Sequence, residues 1–256
     1  MNTNNGINII KKFVPSAIFF LFLLVLWQMV VVILGIEEFI LPSPISIGKA
    51  LFETSDLLWK HSIQTANEAI LGFILAIVAG VILAIVMGLI PLIKRLLYPL
   101  IVVSQTVPIM AIAPLLIIWF GYGMLPKIMV VALVCFFPIT VSLVEGLEAV
   151  DRDMVKLLIS MGASTWQVFK KLRFPSALPS LFSGLKISAT YSIMGAIIGE
   201  WLGASRGLGV YMTRSMKSFL TVRVFASIVV ISLLSLLLFG IINILARLLM
   251  PWYYER

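Results

Sequence analysis

Long apolar segments alternate with shorter polar ones along the whole of this chain. Six stretches are apolar and long enough to cross a bilayer as helices, because about 20 residues of helix span its ~30 Å hydrocarbon layer. These predicted spans lie at about 13–36, 62–90, 96–120, 125–146, 180–201 and 223–249. The pattern therefore predicts an all-α membrane protein whose six transmembrane helices form a single transmembrane domain over residues 1–256.

Two of the predicted spans have distinctive sequences. Pro108 and Pro114 interrupt the third span, so we expect it to be kinked or split, because proline removes a helical hydrogen bond and clashes with the preceding turn. The first span follows Lys11 and Lys12, and no small-residue cleavage site follows it. This arrangement favours a retained signal anchor over a removed signal peptide.

The polar segment between the fourth and fifth spans, residues 147–179, is the longest interruption. Asp151 and Asp153 suit the N-terminus of a helix, because the helix dipole favours negative charge there. Gly162 suits the end of that helix, which we expect within residues 149–165. The Gly-Ala step and the later Phe-Pro and Leu-Pro steps predict that this segment leaves the hydrocarbon and projects into water.

An apolar stripe gives this helix two possible partners. Val155, Leu158 and Ile159 can line one side of it. The helix can lie on the lipid surface, held by the basic residues that follow it, or it can dock on another protein. The Gly-Ala step and the two proline steps favour docking, because adsorption to lipid does not need such a pattern.

Small residues recur every four positions in the second span, which places them on one helix face that a neighbouring backbone can approach closely. They are Gly72, Ala76, Gly80, Ala84 and Gly88. The fifth span repeats the spacing with Gly184, Ser188, Ser192 and Ala196. These stripes suit either static packing in a bundle or helices that slide during gating, and static packing is the simpler interpretation.

Composition excludes a water-soluble protein. Hydrophobic residues make up 61% of the chain and charged residues 12%, and the mean hydropathy is +1.14, whereas soluble domains are roughly 25% charged. The net charge of +8 does not indicate nucleic-acid binding, because Lys and Arg are spread among the loops. The single cysteine, Cys135, excludes an internal disulfide.

The distribution of basic residues predicts the orientation. If the N-terminus is cytoplasmic, twelve of the 19 basic residues fall in inside segments and seven in outside segments. This bias follows the positive-inside rule. We therefore expect a multi-pass protein of the cell membrane with both termini and residues 147–179 in the cytoplasm, and residues 202–222 outside.

Catalytic motifs are missing from the sequence. The one histidine, His61, has no second histidine and no cysteine near it to form a metal site. A GxxxxGK[ST] phosphate loop and a GxSxG serine elbow are also absent. The sequence therefore predicts a chain that is not an enzyme, has no metal site and binds no cofactor of its own.

Three patches of sequence, in the expected order, resemble one family. Residues 157–179, LLISMGASTWQVFKKLRFPSALP, resemble the cytoplasmic loop of binding-protein-dependent ABC importer permeases, whose pattern is EAA, three residues, G, a hydrophobic step and LP. Residues 39–51, FILPSPISIGKAL, and 199–212, GEWLGASRGLGVYM, resemble patterns of the branch that carries nitrate, sulfonates, taurine and vitamin precursors. The leading triplet departs from the family pattern, since it is Lys156-Leu157-Leu158. Within the second patch, we expect an extended stretch at Pro42 and Pro44, and Ser46 as the cap of the following helix.

The resemblance implies a type I ABC importer permease, which is the membrane subunit of an ATP-driven importer for a small nutrient. It also implies two copies of a separate ABC ATPase that bind ATP and Mg, a second permease copy in a homodimer, and an extracytoplasmic substrate-binding protein. The residues implied in ATPase coupling are Val155, Lys156, Leu158, Ile159, Gly162 and Ala163. The candidates for the translocation path between the third, fourth and fifth spans are Gln105, Thr106, Pro108, Tyr191, Ser192 and Glu200.

Two acidic residues leave an alternative function open. Glu200, near the end of the fifth span, and Glu68, near the start of the second, suit a proton-coupled secondary transporter, because carboxylates in membrane helices often have functional roles. Structural roles are the other interpretation. Glu200 can bond the glycine-rich turn that follows it, and Glu68 can pair with Lys60 or His61 or line an aqueous cavity. The chain itself does not identify the substrate among sulfonates, taurine, nitrate, pyrimidine precursors and riboflavin-like compounds.

Overall fold

The computed structural model describes the backbone of residues 3–254 and the side chains of residues 14–253. Lys11, Lys12 and Arg256, which contribute to the predicted orientation, have side chains outside the described residues. The described range is almost entirely helical and contains no strand. Its helices are α1 Thr3–Ile33, α2 Pro44–Glu53, α3 Ser55–Leu89, α4 Pro91–Ser104, α5 Ile109–Phe120, α6 Leu125–Glu148, α7 Arg152–Ser160, α8 Thr165–Val168, a π-helical turn Phe169–Arg173, α9 Phe174–Trp201, α10 Leu208–Lys217, α11 Thr221–Leu249 and α12 Pro251–Tyr254.

Five described helices are long and apolar enough to cross a membrane, and the bent pair of α4 and α5 provides a sixth span if it is counted as one. The axes of these two helices differ by 102°. Pro108 lies at this break, directly before the first residue of α5. A proline disfavours helical geometry in the residue before it, so α4 does not continue into α5. The prediction of a split third span is therefore confirmed, although Pro114 lies within α5 and does not end it.

The segment from Thr165 onwards is more regular than the sequence suggested. Helix continues from Thr165 to Trp201 over 37 residues, so Pro175 and Pro179 do not interrupt it as expected. The reason is the wide turn at Phe169–Arg173, where the Phe174 N–H bonds the Phe169 carbonyl five residues back. A wide turn relieves the clash that a proline ring makes with the preceding carbonyls, and a proline in the first turn of a helix needs no donor.

The described chain groups into two compact units. The smaller contains Met1–Trp59 and Tyr211–Val229, and the larger contains Lys60–Val210 and Val230–Arg256. The single domain over residues 1–256 stays a prediction.

The start of α2, in the smaller unit, differs from the sequence prediction. The Ser43 hydroxyl accepts a bond of 3.2 Å from the Ser46 N–H and thereby caps the helix, whose first residue is Pro44. The prediction of Ser46 as the cap is therefore wrong. The helix starts earlier because the fixed φ of proline suits the first helical position.

Helix α6, in the larger unit, lies between the small-residue faces of α3 and α9. A Cβ added at Gly72 of α3 would overlap the Val131 side chain, and one added at Gly184 of α9 would lie 2.5 Å from the Pro138 carbonyl oxygen. Side chains there would force the helices apart. Both stripes therefore provide close packing against α6.

A reciprocal pair of hydrogen bonds joins α6 to α9. The Ser188 hydroxyl donates to the Cys135 carbonyl at 2.8 Å, and the Cys135 thiol donates to the Ser188 carbonyl at 3.2 Å. Cys135 is fully buried. It therefore acts as a small packing residue, which is the usual role of a buried free cysteine.

Candidate functional site

The segment between α6 and α9 contains a short helix with well-defined ends. The Asp151 side chain accepts a bond of 2.8 Å from the Asp153 N–H at the start of α7. At the other end, Gly162 has a φ of +86°, its N–H bonds the Ile159 carbonyl, and the Ala163 N–H bonds the Leu158 carbonyl. This is a Schellman motif, in which glycine accommodates the left-handed conformation without a Cβ clash. The predicted helix end at Gly162 is confirmed, and α7 is shorter than the 149–165 segment in which we expected it.

The predicted coupling residues divide between two sides of this segment. Val155, Leu158 and Ala163 are half-buried, whereas Lys156, Ile159 and Gly162 are exposed. Lys156 forms an ion pair of 2.9 Å with Asp153, in which both side chains are more than 70% exposed. Such a pair contributes only ~0–1 kcal/mol, so Lys156 has little effect on the stability of α7.

Three exposed apolar residues on α7 and at its end lie outside the apolar stripe that the sequence predicts. Met154, Leu157 and Met161 are 50%, 54% and 74% exposed, and their i, i+3, i+7 spacing puts them on one helix face. We call these three residues the apolar edge of α7. The burial of Val155 and Leu158 explains the error, because they face the protein and leave this edge free for a partner.

A second region of interest is a buried ion pair between α3 and α6. The Lys127 ammonium lies 2.6 Å from Glu68 Oε1, and the exposed fractions of their side chains are 10% and 0%. The Gln64 amide donates to the same oxygen at 2.7 Å. Gly199 of α9 permits this geometry, because a Cβ there would lie 3.1 Å from the Lys127 Cα. The predicted pairing of Glu68 with Lys60 or His61 is therefore wrong: Glu68 points at α6, where a cation can compensate its burial.

The carboxylate of Glu200 lies in the same region and binds the chain where α10 begins. Its Oε1 accepts the Thr65 hydroxyl at 2.6 Å, and its Oε2 accepts the Gly209 N–H at 2.6 Å. A helix N-terminus suits a carboxylate, since its first N–H groups have no partner within the helix. Glu200 therefore bonds the glycine-rich segment that follows it, which is the structural role foreseen from the sequence.

The two N–H groups before Gly209 are also satisfied by α3. The Gly207 N–H donates to His61 Nδ1 at 2.9 Å, and the Leu208 N–H donates to the Thr65 hydroxyl oxygen at 2.8 Å. Gly207 has a φ of +132°, and a Cβ there would overlap the Glu200 carboxylate. Glycine is therefore required at this position.

These groups lie together within the larger unit, and we call them the polar cluster. It consists of His61, Thr65, Glu68, Lys127, Glu200 and the backbone N–H groups of residues 207–209. Its two carboxylates face one ammonium group, and Glu68 Oε2 has no hydrogen-bond partner in the described part of the chain. Buried charges are retained only when they are compensated, so the cluster fixes α3, α6, α9 and the start of α10 relative to one another.

The predicted path residues are not gathered in one place. Gln105, Thr106 and Pro108 are exposed at the break between α4 and α5, and Tyr191 is 42% exposed on α9. Ser192 is fully buried and bonds the Ala189 carbonyl of its own helix. Glu200 belongs to the polar cluster. Ser192 and Glu200 thus differ from the other four candidates in having no exposed surface to offer a solute.

The sequence matches a family model over most of its length. Residues 76–251 match the family described as "Binding-protein-dependent transport system inner membrane component". The formylaminopyrimidine transport permease protein ThiX of Halalkalibacterium halodurans is 40% identical over 92% of this chain and 94% of its own length. The riboflavin transport system permease protein RibX of Chloroflexus aurantiacus is 34% identical over 90% and 87% of the two chains. The taurine transport system permease protein TauC of Escherichia coli is 32% identical over 91% and 87%.

A solved structure shares the fold. The methionine ABC transporter MetNI, in inward-facing conformations, contains a chain that matches with a TM-score of 0.64. The match covers 76% of this chain and 97% of that one, at 16% sequence identity. At this identity the likeness concerns the arrangement of helices alone.

Proposed function

Because the chain belongs to the binding-protein-dependent inner-membrane transport components, it is the membrane permease of an ATP-driven importer, and we propose that α7 is the helix through which ATPase subunits drive it. Two ATPase copies, which bind ATP and Mg, and a second copy of this chain complete the transporter. An extracytoplasmic binding protein delivers the solute. In this arrangement α7 and both termini lie in the cytoplasm, and residues 202–222 lie outside.

The observation that carries this proposal is the apolar edge of α7. A soluble loop gains nothing from three exposed apolar side chains on one face, whereas a docking helix uses such a stripe as its anchor in a partner's groove. The Schellman motif at Gly162 and the capping box of Ser164 with Gln167 fix the chain on the C-terminal side of α7. A displacement of α7 by the ATPase is therefore passed to the start of the helix that continues into α9.

The chemical class of the solute is proposed from the relatives. Permeases named for formylaminopyrimidine, riboflavin and taurine are all at least 32% identical to this chain over about nine tenths of its length. The first class to test is a pyrimidine or other vitamin precursor, because the relative at 40% identity is named for one. Sulfonates and taurine are the second class.

A proton-coupled secondary transporter is not favoured. A coupling carboxylate has to exchange protons with water on both sides of the membrane in turn. Glu68 and Glu200 are each at most 1% exposed, and their oxygens bond Lys127, Gln64, Thr65 and Gly209. We assign the polar cluster instead to holding the outer ends of α3, α6 and α9 as one body while the transporter changes state.

The test is co-purification of the ATPase with permease variants. Leu157→Glu with Met161→Glu places charge on the apolar edge, so we expect most of the bound ATPase to be lost while the permease remains folded in the membrane. The control is Ile82→Leu, a mild change at an exposed position of α3. It leaves α7 untouched and should retain the ATPase. Full retention of the ATPase and of solute uptake in the double Glu variant would contradict the proposed role of α7.

A further inference from the structure

A cavity of about 310 Å³ lies beside the segment that joins α7 to α9. It is lined by Ile85 of α3, Trp166 of α8, Phe169 and Lys170 of the π-helical turn, and Phe174 of α9. Four of these five residues are apolar, and the fifth, Lys170, is a cation. Neither the transport path nor the apolar edge of α7 includes any of them, so the cavity needs its own explanation.

The aromatic residues give the cavity a firm inner wall and an open side. Phe169 is 5% exposed, and its ring centroid lies 5.6 Å from that of Trp166 and 6.0 Å from that of Phe174. Trp166 itself is 58% exposed. The spacing of four between Trp166, Lys170 and Phe174 places them along one side of the continuous helix. The open side therefore presents an apolar surface with a lysine in its middle.

Three cations in this turn have no acidic partner. Among the described residues, no ion pair or hydrogen bond involves the side chains of Lys170, Lys171 or Arg173, and all three are at least partly exposed. Lys94 and Lys156, by contrast, form ion pairs with Glu148 and Asp153. A ligand with negative charge is therefore the complement that this turn lacks.

The depth of the cavity in the membrane follows from Ile85. This residue lies four positions before Leu89, the last residue of α3, so it is about 6 Å along the helix axis from the end of that span. Apolar residues continue into α4 with Leu92 and Ile93. The cavity thus lies where acyl chains meet headgroups, which is also the depth that tryptophan and lysine side chains favour.

From these observations we propose that the cavity binds an anionic phospholipid, with part of an acyl chain against Ile85, Phe169 and Phe174 and the phosphate at Lys170. Lys171 and Arg173 supply further positive charge to the headgroup. The inference rests on the proposed orientation, because the cytoplasmic leaflet is the one that is rich in anionic lipid. A docked lipid would brace the helical turn that links the coupling segment to α9.

The experiment uses Trp166 as the reporter. The complete permease, with the ATPase that co-purifies with it, is reconstituted in vesicles of brominated phosphatidylcholine, whose bromine atoms quench nearby tryptophan. The Trp166→Phe variant, measured in parallel, isolates the signal of Trp166. Unbrominated phosphatidylglycerol is then added as the anionic probe, and unbrominated phosphatidylcholine as the neutral one.

We expect phosphatidylglycerol to relieve the quenching of Trp166 at least about fivefold more effectively than phosphatidylcholine, since each cation near a headgroup contributes on the order of a fivefold preference. The variant with Lys170, Lys171 and Arg173 all changed to Gln should lose this preference. The control variant with Lys49, Lys60 and Lys217 all changed to Gln has the same net charge and should keep it.

Equal relief by both lipids, or an unchanged preference in the first triple variant, would overturn the proposal. A loss of bound ATPase in that variant with the lipid preference intact would also overturn the proposal, since the three cations would then bind the ATPase and not a lipid. Co-purification of the ATPase is scored in the same samples. If the proposed function is wrong, the parent protein does not co-purify the ATPase. If the lipid site is wrong, the parent protein shows no preference for phosphatidylglycerol over phosphatidylcholine.

Discussion

Changing Lys127 to methionine tests whether the polar cluster stabilises the fold. The substitution removes the ammonium 2.6 Å from Glu68 Oε1 and leaves a carboxylate with a fully buried side chain. Removing one partner of a buried ion pair costs about 3–5 kcal/mol, because the remaining charge is uncompensated. We expect a loss of this size, since the remaining donor to Glu68 in the described chain is the neutral amide of Gln64.

The matched variants separate the charge from the packing. Glu68→Met with Lys127→Met removes both charges, and we expect it to lie close to the parent protein, because replacement of a buried pair by apolar residues is often neutral or stabilising. Glu68→Gln alone should fall between the two, since Lys127 is 10% exposed and can move its ammonium towards the surface. Lys156→Met, which breaks an exposed ion pair, should change stability by less than about 1 kcal/mol.

The assay is thermal unfolding in detergent, followed as the loss of monodisperse protein on size-exclusion chromatography. The predicted order of stability is parent and double variant first, then Glu68→Gln, then Lys127→Met. A coupling energy comes from the double-mutant cycle. If Lys127→Met were as stable as the parent, or if the double variant were no more stable than Lys127→Met, the ion pair would not have the structural role described above.

Three further predictions concern packing, coupling and topology. Gly184→Ala should destabilise the protein by about 1–3 kcal/mol, because its Cβ would lie 2.5 Å from the Pro138 carbonyl oxygen. Gly240→Ala, whose Cβ would have nothing within 4 Å, should be neutral or stabilising by up to about 1 kcal/mol. Equal melting temperatures for the two variants would contradict the packing of α9 on α6. Gly162→Val should reduce the amount of co-purified ATPase with near-normal expression, because the φ of +86° at Gly162 excludes a β-branched residue. Lys156→Glu should have a far milder effect. Full retention of the ATPase in both variants would show that the Schellman motif is not required. An impermeant thiol reagent added outside cells should label a cysteine placed at the exposed Ser205 and spare one placed at the exposed Ser160. The native Cys135 is fully buried and should not react. The reverse labelling pattern would invert the proposed orientation.

Local features of the fold could be predicted from the sequence because they depend on neighbouring residues. The apolar spans, the break at Pro108 and the helix end at Gly162 each follow from a run or a single residue with a strong backbone preference. The regular helix through Pro175 could not be predicted in this way. It depends on a π-helical turn, whose wider spacing leaves no clear signal in the sequence.

The polar cluster could be predicted only in part. Glu200 and the glycine-rich segment are close in sequence, so their hydrogen bond was foreseen. The partner of Glu68 was not, because Lys127 lies 59 residues away on another helix, and only the packing of α3 on α6 brings the two together. The apolar edge of α7 was missed for a related reason, since the burial of Val155 and Leu158 depends on contacts outside the helix.

The position of Lys127 in the third residue of α6 has a consequence for biosynthesis. A lysine costs about 2.5–3.5 kcal/mol at the centre of a newly inserted helix, and less near its end, where the side chain can reach the interface. Since Glu68 is translated earlier, α3 can already offer its carboxylate when α6 leaves the ribosome and enters the bilayer. Glu200 and residues 207–209 are translated last. The cluster is therefore assembled in two stages, and Lys127 becomes buried against a carboxylate that entered the membrane with α3, three helices before α6.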